Sequence, residues 1–142
     1  MLIAEILRSK GSDVATVGPA TPVAGLLTLL AERNIGAVVV VEGDDVVGIA
    51  SERDIVRRLD ERGAELLAAP VREIMTAAVV TCAPGDTVDS LTVLMTEHRV
   101  RHLPVLDNGA LMGIVSIGDV VKSRISQLEA HREQLENYIT QG

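Results

Sequence analysis

The chain has 142 residues but no tryptophan, no phenylalanine and a single tyrosine, Tyr138. Without aromatic faces it lacks the stacking platforms on which single-stranded nucleic acids are usually held. Acidic residues outnumber basic ones by 20 to 13, a formal charge of −7 that repels a phosphate backbone, so no nucleic-acid partner is expected. Cys82 stands alone, which excludes an internal disulfide and any cysteine-based zinc cluster. No stretch approaches the roughly 20 apolar residues that cross a bilayer, so no membrane partner is expected. The N-terminal MLIAEILRSKG has mixed charge and no small-residue cleavage site, and so does not read as a signal peptide. These absences together predict a soluble, cytoplasmic protein. A Walker-type glycine loop and a serine nucleophile elbow are also missing, and nothing in the chain looks built to break a bond, so an enzyme is not expected.

What the chain does have is aliphatic: 47% of its residues are hydrophobic, which leaves a core to be built from Val, Ile, Leu, Ala and Met. It also has a repeat. GIASERD from Gly48 reappears as GIVSIGD from Gly113, so that Ser51 and Ser116 stand 65 positions apart, as do Asp54 and Asp119. The same register, without gaps, pairs Thr16 with Thr81, Pro19 with Pro84, Val23 with Val88, Leu26 with Leu91 and Val40 with Val105. Agreement over some forty flanking positions makes this a duplicated unit rather than a coincidence of two serine phrases.

Each copy carries the same succession of periods. A breaker cluster after Thr16 precedes VAGLLTLLAERN, whose apolar residues at Val23, Leu26, Leu27 and Leu30 fall at helical spacing. Thr21, followed by Pro22, reads as the N-cap, with Asp86 in its place in the second copy. AVVVVE and HLPVLD then read as strands ended by turns, followed by second short strands and helices opening at Ser51 and Ser116. Each unit is therefore strand, helix, strand, strand, helix, in an α/β (α+β) fold. The run Val38–Val41 has no polar alternation, which predicts a strand covered on both faces. Two units too small to hide their apolar faces alone are expected to pack together about a pseudo-twofold axis. The boundaries expected are 1–65 for the first unit with its lead-in, 66–125 for the second, and 126–142 for a C-terminal helical extension. VREIM from Val71 echoes IAEIL from Ile3, which suggests a short helical lead-in to each unit.

An S-x-x-D phrase at a helix start is first of all a capping box in its Asp variant. Here it occurs twice, each time where a strand turns directly into a helix, and such helix tips offer N–H donors and a positive dipole end to anions. A serine hydroxyl can donate to a phosphate, and an aspartate one turn in can accept from paired ribose hydroxyls.

With these phrases the chain resembles a tandem pair of cystathionine-β-synthase (CBS) domains, the Bateman module. The resemblance rests on VTCAPGDTV from Val80, RHLPV from Arg101 and GIVSIGD from Gly113, and on TVGPATPV from Thr16 and GIASERD from Gly48. It implies an adenosine ligand held in clefts between the halves: an adenine nucleotide or dinucleotide (AMP, ADP, ATP or NAD) or S-adenosylmethionine, acting as a regulatory ligand, with no metal. It implies ribose contacts from Asp54 and Asp119, phosphate contacts from Ser51 and Ser116, and adenine contacts from Thr16, Thr81 and the backbone of the strands that follow, Gly36, Ala37 and Val38 in one copy and Arg101, His102, Leu103 and Pro104 in the other. One cleft would join Ser116 and Asp119 with Thr16, the other Ser51 and Asp54 with Thr81. The first copy departs from the pattern, with Gly36 where the second has Arg101 and Val39 where it has Pro104. Arg53 stands against Gly118, so one copy has an arginine suited to clamping a phosphate and the other a glycine allowing close approach. The cleft of Asp119 is favoured for adenosine, and Arg53, Arg57, Arg99, Arg101 and Lys122 are candidates for phosphate. Regulation would pass to an unidentified effector protein, because no effector domain accompanies the module, and the module is expected to be a homodimer. The alternative is a dimerisation scaffold without ligand.

Three features stay outside this scheme. His98 and His102 are four apart, but one ends a helix and the other begins a strand, which argues against a metal pair. Cys82 reads as a small apolar filler. After Asp119 the chain continues as one helical pattern with Val121, Ile125, Leu128, Leu135 and Ile139 at near-heptad spacing, broken once at Arg132. That stripe fits a helix packing on its own module or one pairing with another subunit.

Overall fold

The computed structural model describes residues 1–11 and 13–141. In chain order it contains α1 (Ile3–Lys10), β1 (Thr16–Val17), α2 (Val23–Arg33), β2 (Ala37–Glu42), β3 (Asp45–Ser51) and α3 (Glu52–Arg62). Two short 3-10 helices follow, Gly63–Ala68 and Val71–Glu73, then α4 (Val88–His98), β4 (His102–Asp107), β5 (Ala110–Ser116) and α5 (Ile117–Gln141). The C-terminal residue, Gly142, lies outside the described residues. Among the described residues, no helix is long and apolar enough to cross a membrane.

The duplication holds in three dimensions, register for register. β1 runs parallel to β2 and pairs Val17 with Val40; at the equivalent place in the second copy the strand shrinks to one parallel bridge, Cys82 to Val105. Both hairpins are antiparallel, and both bulge at the same point, after Val40 and after Val105. α2 and α4 both end on a left-handed residue, Asn34 at φ 52° and Arg99 at φ 54°.

Both of these helices begin one residue later than the sequence suggests. Pro22 and Thr87 occupy the N-cap positions, and Thr87 accepts a hydrogen bond from Ser90 N at 3.1 Å. The carbonyl of Thr21 is engaged elsewhere, accepting from Val71 N at 2.8 Å, and this holds Pro22 extended in a bridge with Pro70. Asp86 likewise serves the preceding turn, accepting from Ala83 N at 2.9 Å.

The apolar interior is divided rather than shared. Val23, Leu26, Leu30, Val38, Val40 and Ala50 form one core, and Val88, Leu91, Met95, Leu103, Val105 and Val115 form the other. Each core is completed by a lead-in segment, and the two lead-ins are exchanged along the chain. Ile3, Ile6 and Leu7 of α1 lie in the second core, while Leu66, Ala69, Val71 and Ile74 of the connector lie in the first. Three backbone hydrogen bonds repeat at each seam. Val23 N, Val71 N and Arg72 N donate to Ala69, Thr21 and Pro19 on one side; Val88 N, Ile3 N and Ala4 N donate to Met1, Asp86 and Pro84 on the other. α1 lies within the expected first unit, 1–65, in the order of the chain, and its apolar face is buried in the second core.

The glycine of each GIxS phrase follows from this exchange. A Cβ on Gly113 would lie 2.8 Å from Leu7 Cδ2, and one on Gly48 would lie 2.6 Å from Met75 Sδ and 3.1 Å from the Thr76 carbonyl oxygen. Each glycine therefore admits a lead-in segment that a side chain would displace.

Candidate functional site

At both helix tips the serine and aspartate form the same box. Ser51 N and Oγ donate to Asp54 Oδ2 at 2.9 and 3.0 Å, and Asp54 N donates back to Ser51 Oγ at 3.3 Å. Ser116 and Asp119 repeat it at 2.8, 3.1 and 3.2 Å. The first N–H of each helix is also used: Glu52 N donates to Gly36 O and Ile117 N to Arg101 O. The box thus orients one carboxylate oxygen by capping and leaves the other available.

The two carboxylates then diverge. Lys10 Nζ, reaching from α1, donates to Asp119 Oδ2 at 2.7 Å and to the Ile114 carbonyl at 2.9 Å. Burial pushes the Asp119 carboxyl up, but the hydrogen bonds from Lys10 and Ser116, with the lysine charge, outweigh it and hold the group below the ordinary carboxylate range. The hollow left beside Asp119 measures only about 120 Å³ and is lined by Met1, Glu5, Ile6, Ser9 and Lys10 of the N-terminal segment and by Lys122, Ser123 and Ser126 of α5. Asp54 has no such neighbour. Among the described residues it enters no ion pair, and it lines an open cleft of about 700 Å³ between the repeats.

That cleft gathers Gly36, Ser51, Arg53 and Asp54 from the first repeat with Arg101, His102, Ser116 and Gly118 from the second. Thr16 and Thr81 do not line it, although both are exposed; Ala37, Val38, Leu103 and Pro104 are buried in or beside the two cores. Asp119 and Lys122 line the small hollow instead. Asp119, favoured for adenosine in the sequence, therefore has one oxygen, Oδ2, taking both the cap and a lysine 109 positions away in the chain, whereas Asp54 carries the cap alone.

Four arginines edge the large cleft: Arg53, Arg57, Arg99 and Arg101. None of them forms an ion pair among the described residues, and the acidic side chains in the same lining are Glu52 and Asp54. On a chain of charge −7, this is a local excess of positive charge. Arg53, Arg99 and Arg101 also edge an adjoining depression of about 330 Å³ under Thr92, Met95, Thr96 and Val120. His102 is half-buried in the cleft wall, and burial, together with the nearby Lys10 and Arg101, lowers its pKa against the opposing influence of Glu52 and Asp119. It is therefore an uncharged hydrogen-bonding group at neutral pH.

Sequence reasoning missed the apolar wall of the cleft, formed by Ile49, Ala78, Val79, Val80, Val100 and Ile117. The signal for it was the segment before Thr81, which reads like any short apolar strand. A proline in a strand removes one ladder donor and leaves neighbouring backbone groups free, and the structure identifies the group that Pro104 frees. In the first repeat Val39 N donates to the Ala15 carbonyl at 3.2 Å. Pro104 stands at the Val39 position and Val80 at that of Ala15; proline has no N–H, so the Val80 carbonyl accepts no hydrogen bond among the described residues. An unpaired carbonyl thus lies in the backbone of a cleft-lining residue.

These features define a class: a two-repeat α/β module with exchanged lead-ins and one open, arginine-edged cleft between its halves. The CBS-domain pattern matches residues 3–61 and 71–126. The chain belongs to the CBS-domain family and carries a pair of these domains. It is 33% identical over 119 residues to the CBS domain-containing protein YhcV of Bacillus subtilis, covering 84% of each chain. The structure of the CBS-domain containing protein ATU1752 from Agrobacterium tumefaciens superposes with a TM-score of 0.85 at 44% identity, over 87% of this chain and 99% of that one. The CBS domain pair of protein MJ0100, solved with 5-methylthioadenosine and S-adenosyl-L-methionine, superposes at 0.80 with 23% identity, over 89% and 98% of the two chains.

Proposed function

We propose that the protein is a regulatory module that binds a phosphate-bearing adenosine ligand in the cleft of Asp54 and signals its presence to a partner protein. The observation that carries this reading is the set of four arginines, in no ion pair among the described residues, around a cavity of about 700 Å³, a volume within the range of small-molecule sites. Asp54, oriented by Ser51, accepts from the ribose hydroxyls. The wall of Ile49, Val79, Val80 and Val100 covers the faces of the base in place of aromatic rings, and the open Val80 carbonyl accepts from the exocyclic amine of adenine. The arginines take the phosphates, for which their planar forks are suited.

The MJ0100 pair, which has the same fold, was solved with two adenosine compounds, and this supports an adenosine ligand here. S-adenosylmethionine brings a sulfonium cation, which four unpaired arginines disfavour; AMP, ADP, ATP and NAD bring anions. Such a ligand touches both repeats at once, with Asp54 on one side and Val80 and Arg101 on the other. It therefore favours whichever relative packing of the repeats keeps both sets of contacts, and its differential affinity sets how far that packing shifts. The effector that reads the shift is a separate protein.

Thermal melts with AMP, ADP, ATP, NAD, S-adenosylmethionine and adenosine test the reading. A ligand at about a hundred times its dissociation constant adds about 2.7 kcal/mol to the folded state, a rise in Tm of roughly 5–10 °C for a chain of this size. The phosphate-bearing compounds are expected to produce the rise. Equal rises with adenosine would remove the role of the arginines, and no rise with any compound would leave a dimerisation scaffold.

A further inference from the structure

α5 is 25 residues long, about 37 Å, and the module uses only its first half. Val120 and Ser123 are buried and Gln127 is half-buried; from Leu128 through Thr140 every residue is exposed. A helical segment of that length is marginal in water on its own, and this one carries an apolar stripe interrupted once, at Arg132. Val121, Ile125, Leu128, Leu135 and Ile139 are 52%, 51%, 69%, 51% and 76% exposed. With Arg132 they are spaced by alternating steps of four and three, an unbroken heptad with Ile125, Arg132 and Ile139 at a and Val121, Leu128 and Leu135 at d. The face that packs on the module, Val120, Ser123 and Gln127, occupies c and f, opposite the stripe. The module therefore does not compete for the a and d positions.

We propose that α5 pairs with α5 of a second copy as a parallel, in-register, two-stranded coiled coil. Isoleucine at a with leucine at d is the combination that favours two parallel strands, and a single polar a residue sets register and strand number. Register and direction follow from charge. In the parallel pairing each g residue faces the e residue five positions on in the partner, which sets Arg124 against the partner's Glu129 and His131 against the partner's Glu136. Arg124 is held at that edge by its ion pair with Asp89 of its own α4. An antiparallel pairing with the same core layers would set Glu129 against the partner's Glu129. It would also place each Arg132 opposite a leucine, spreading one polar layer over two. The inference is independent of the nucleotide reading and remains if no ligand binds.

Cysteine cross-linking of the full chain tests it. The native Cys82 is buried, with burial and the nearby Asp86 pushing its thiol up to about 12, so the wild-type chain provides the unreactive baseline. Under mild oxidation at micromolar chain, Leu128→Cys at d is expected to form a self-disulfide about a hundredfold faster than Ala130→Cys at the outer f position, because pairing holds the thiols at an effective millimolar concentration. Equal rates for the two variants, or no Leu128→Cys dimer, would overturn the coil. Preferential disulfides between mixed Leu128→Cys and Arg132→Cys chains, over either self-pair, would show the antiparallel arrangement and overturn the proposed direction. As a second readout, Leu128→Asp combined with Leu135→Asp is expected to lower the helical circular dichroism signal by melting the tail while the two cores stay folded; an unchanged signal would mean that the tail needs no partner.

Discussion

Lys10 Nζ lies 2.7 Å from Asp119 Oδ2, so a side chain from the first helix of the chain sits at the helix tip of the second repeat. Among the described residues the first repeat has no equivalent contact, and this one ion pair makes two sequence-equivalent carboxylates inequivalent. The aspartate side chain is 19% exposed and the lysine 32%, which places the pair between a surface salt bridge and a buried one. Lys10→Met is expected to destabilise the fold by about 1–2 kcal/mol. The pH dependence follows from the lowered pKa of Asp119. A carboxyl that releases its proton more readily in the folded chain stabilises the fold above its unfolded pKa of about 3.9, and that contribution is lost as pH falls through the lower folded value. Urea melts of wild type and Lys10→Met should differ by a constant amount above about pH 5 and converge below about pH 4.

The same asymmetry bears on ligand binding. A cavity of about 120 Å³ is too small for a nucleotide, whereas 700 Å³ is ample. Calorimetric titration with ATP is therefore expected to give one site per chain. Asp54→Ala should weaken that binding by roughly ten- to a hundredfold, the worth of hydrogen bonds to a charged group, while Asp119→Ala should leave it within about twofold. Two equal sites, or the reverse ranking of the variants, would show that the lysine does not block the second cleft.

The repeat, the order of elements and both serine–aspartate boxes were legible in the sequence because each depends on local spacing that the duplication writes twice. What escaped depends on contacts between distant positions. Nothing near Asp119 announces Lys10, 109 positions away. Nothing near Thr21 announces that its carbonyl will take the Val71 N–H and delay a helix by one residue. Val79 and Val80 look like core residues until the lead-in exchange sets them on the cleft wall. Leu7 and Gly113 illustrate the same limit, since the glycine reads as part of a turn phrase and its reason lies on α1.

Arg99 occupies a left-handed conformation that costs a non-glycine residue roughly 1–2 kcal/mol. The equivalent position in the first repeat is Asn34, a residue that tolerates this conformation. Arg99 faces the cleft and Asn34 does not, so the strain coincides with the place where a guanidinium is useful. Arg99→Asn is expected to raise stability by about 0.5–1 kcal/mol in chemical denaturation while weakening ATP and leaving adenosine unaffected. A variant that gains stability without losing ATP affinity would detach Arg99 from the phosphates.

Gly48 and Gly113 both admit a lead-in, but they are expected to tolerate alanine differently. At Gly113 the added methyl meets the end of the Leu7 side chain, which can turn aside. At Gly48 it meets Met75 Sδ and also the Thr76 backbone carbonyl, which is fixed by reciprocal hydrogen bonds with Ile49 at 2.9 and 3.0 Å. Overpacking of this kind costs about 1–3 kcal/mol, with Gly48→Ala at the upper end and Gly113→Ala at the lower. Thermal denaturation of the two variants gives the ranking directly.

Pro104 is the clearest single difference between the two repeats at the level of the backbone. Its ring leaves the Val80 carbonyl without the partner that Ala15 finds in Val39 N, and an unpaired carbonyl beside a cleft is an acceptor waiting for a donor. Pro104→Val restores the N–H. The new donor is expected to pair with Val80 O as Val39 pairs with Ala15, removing the acceptor from the cleft while adding a ladder hydrogen bond to the second core. Stability should therefore hold or rise by about 1 kcal/mol, while adenine ligands lose roughly tenfold in affinity. Inosine analogues, which present a carbonyl where adenine presents its amine, separate the causes. In the wild type they should bind more weakly than adenine ligands because two acceptors face each other, and in Pro104→Val that discrimination should shrink. A variant that binds both bases as the wild type does would show that the Val80 carbonyl does not read the base.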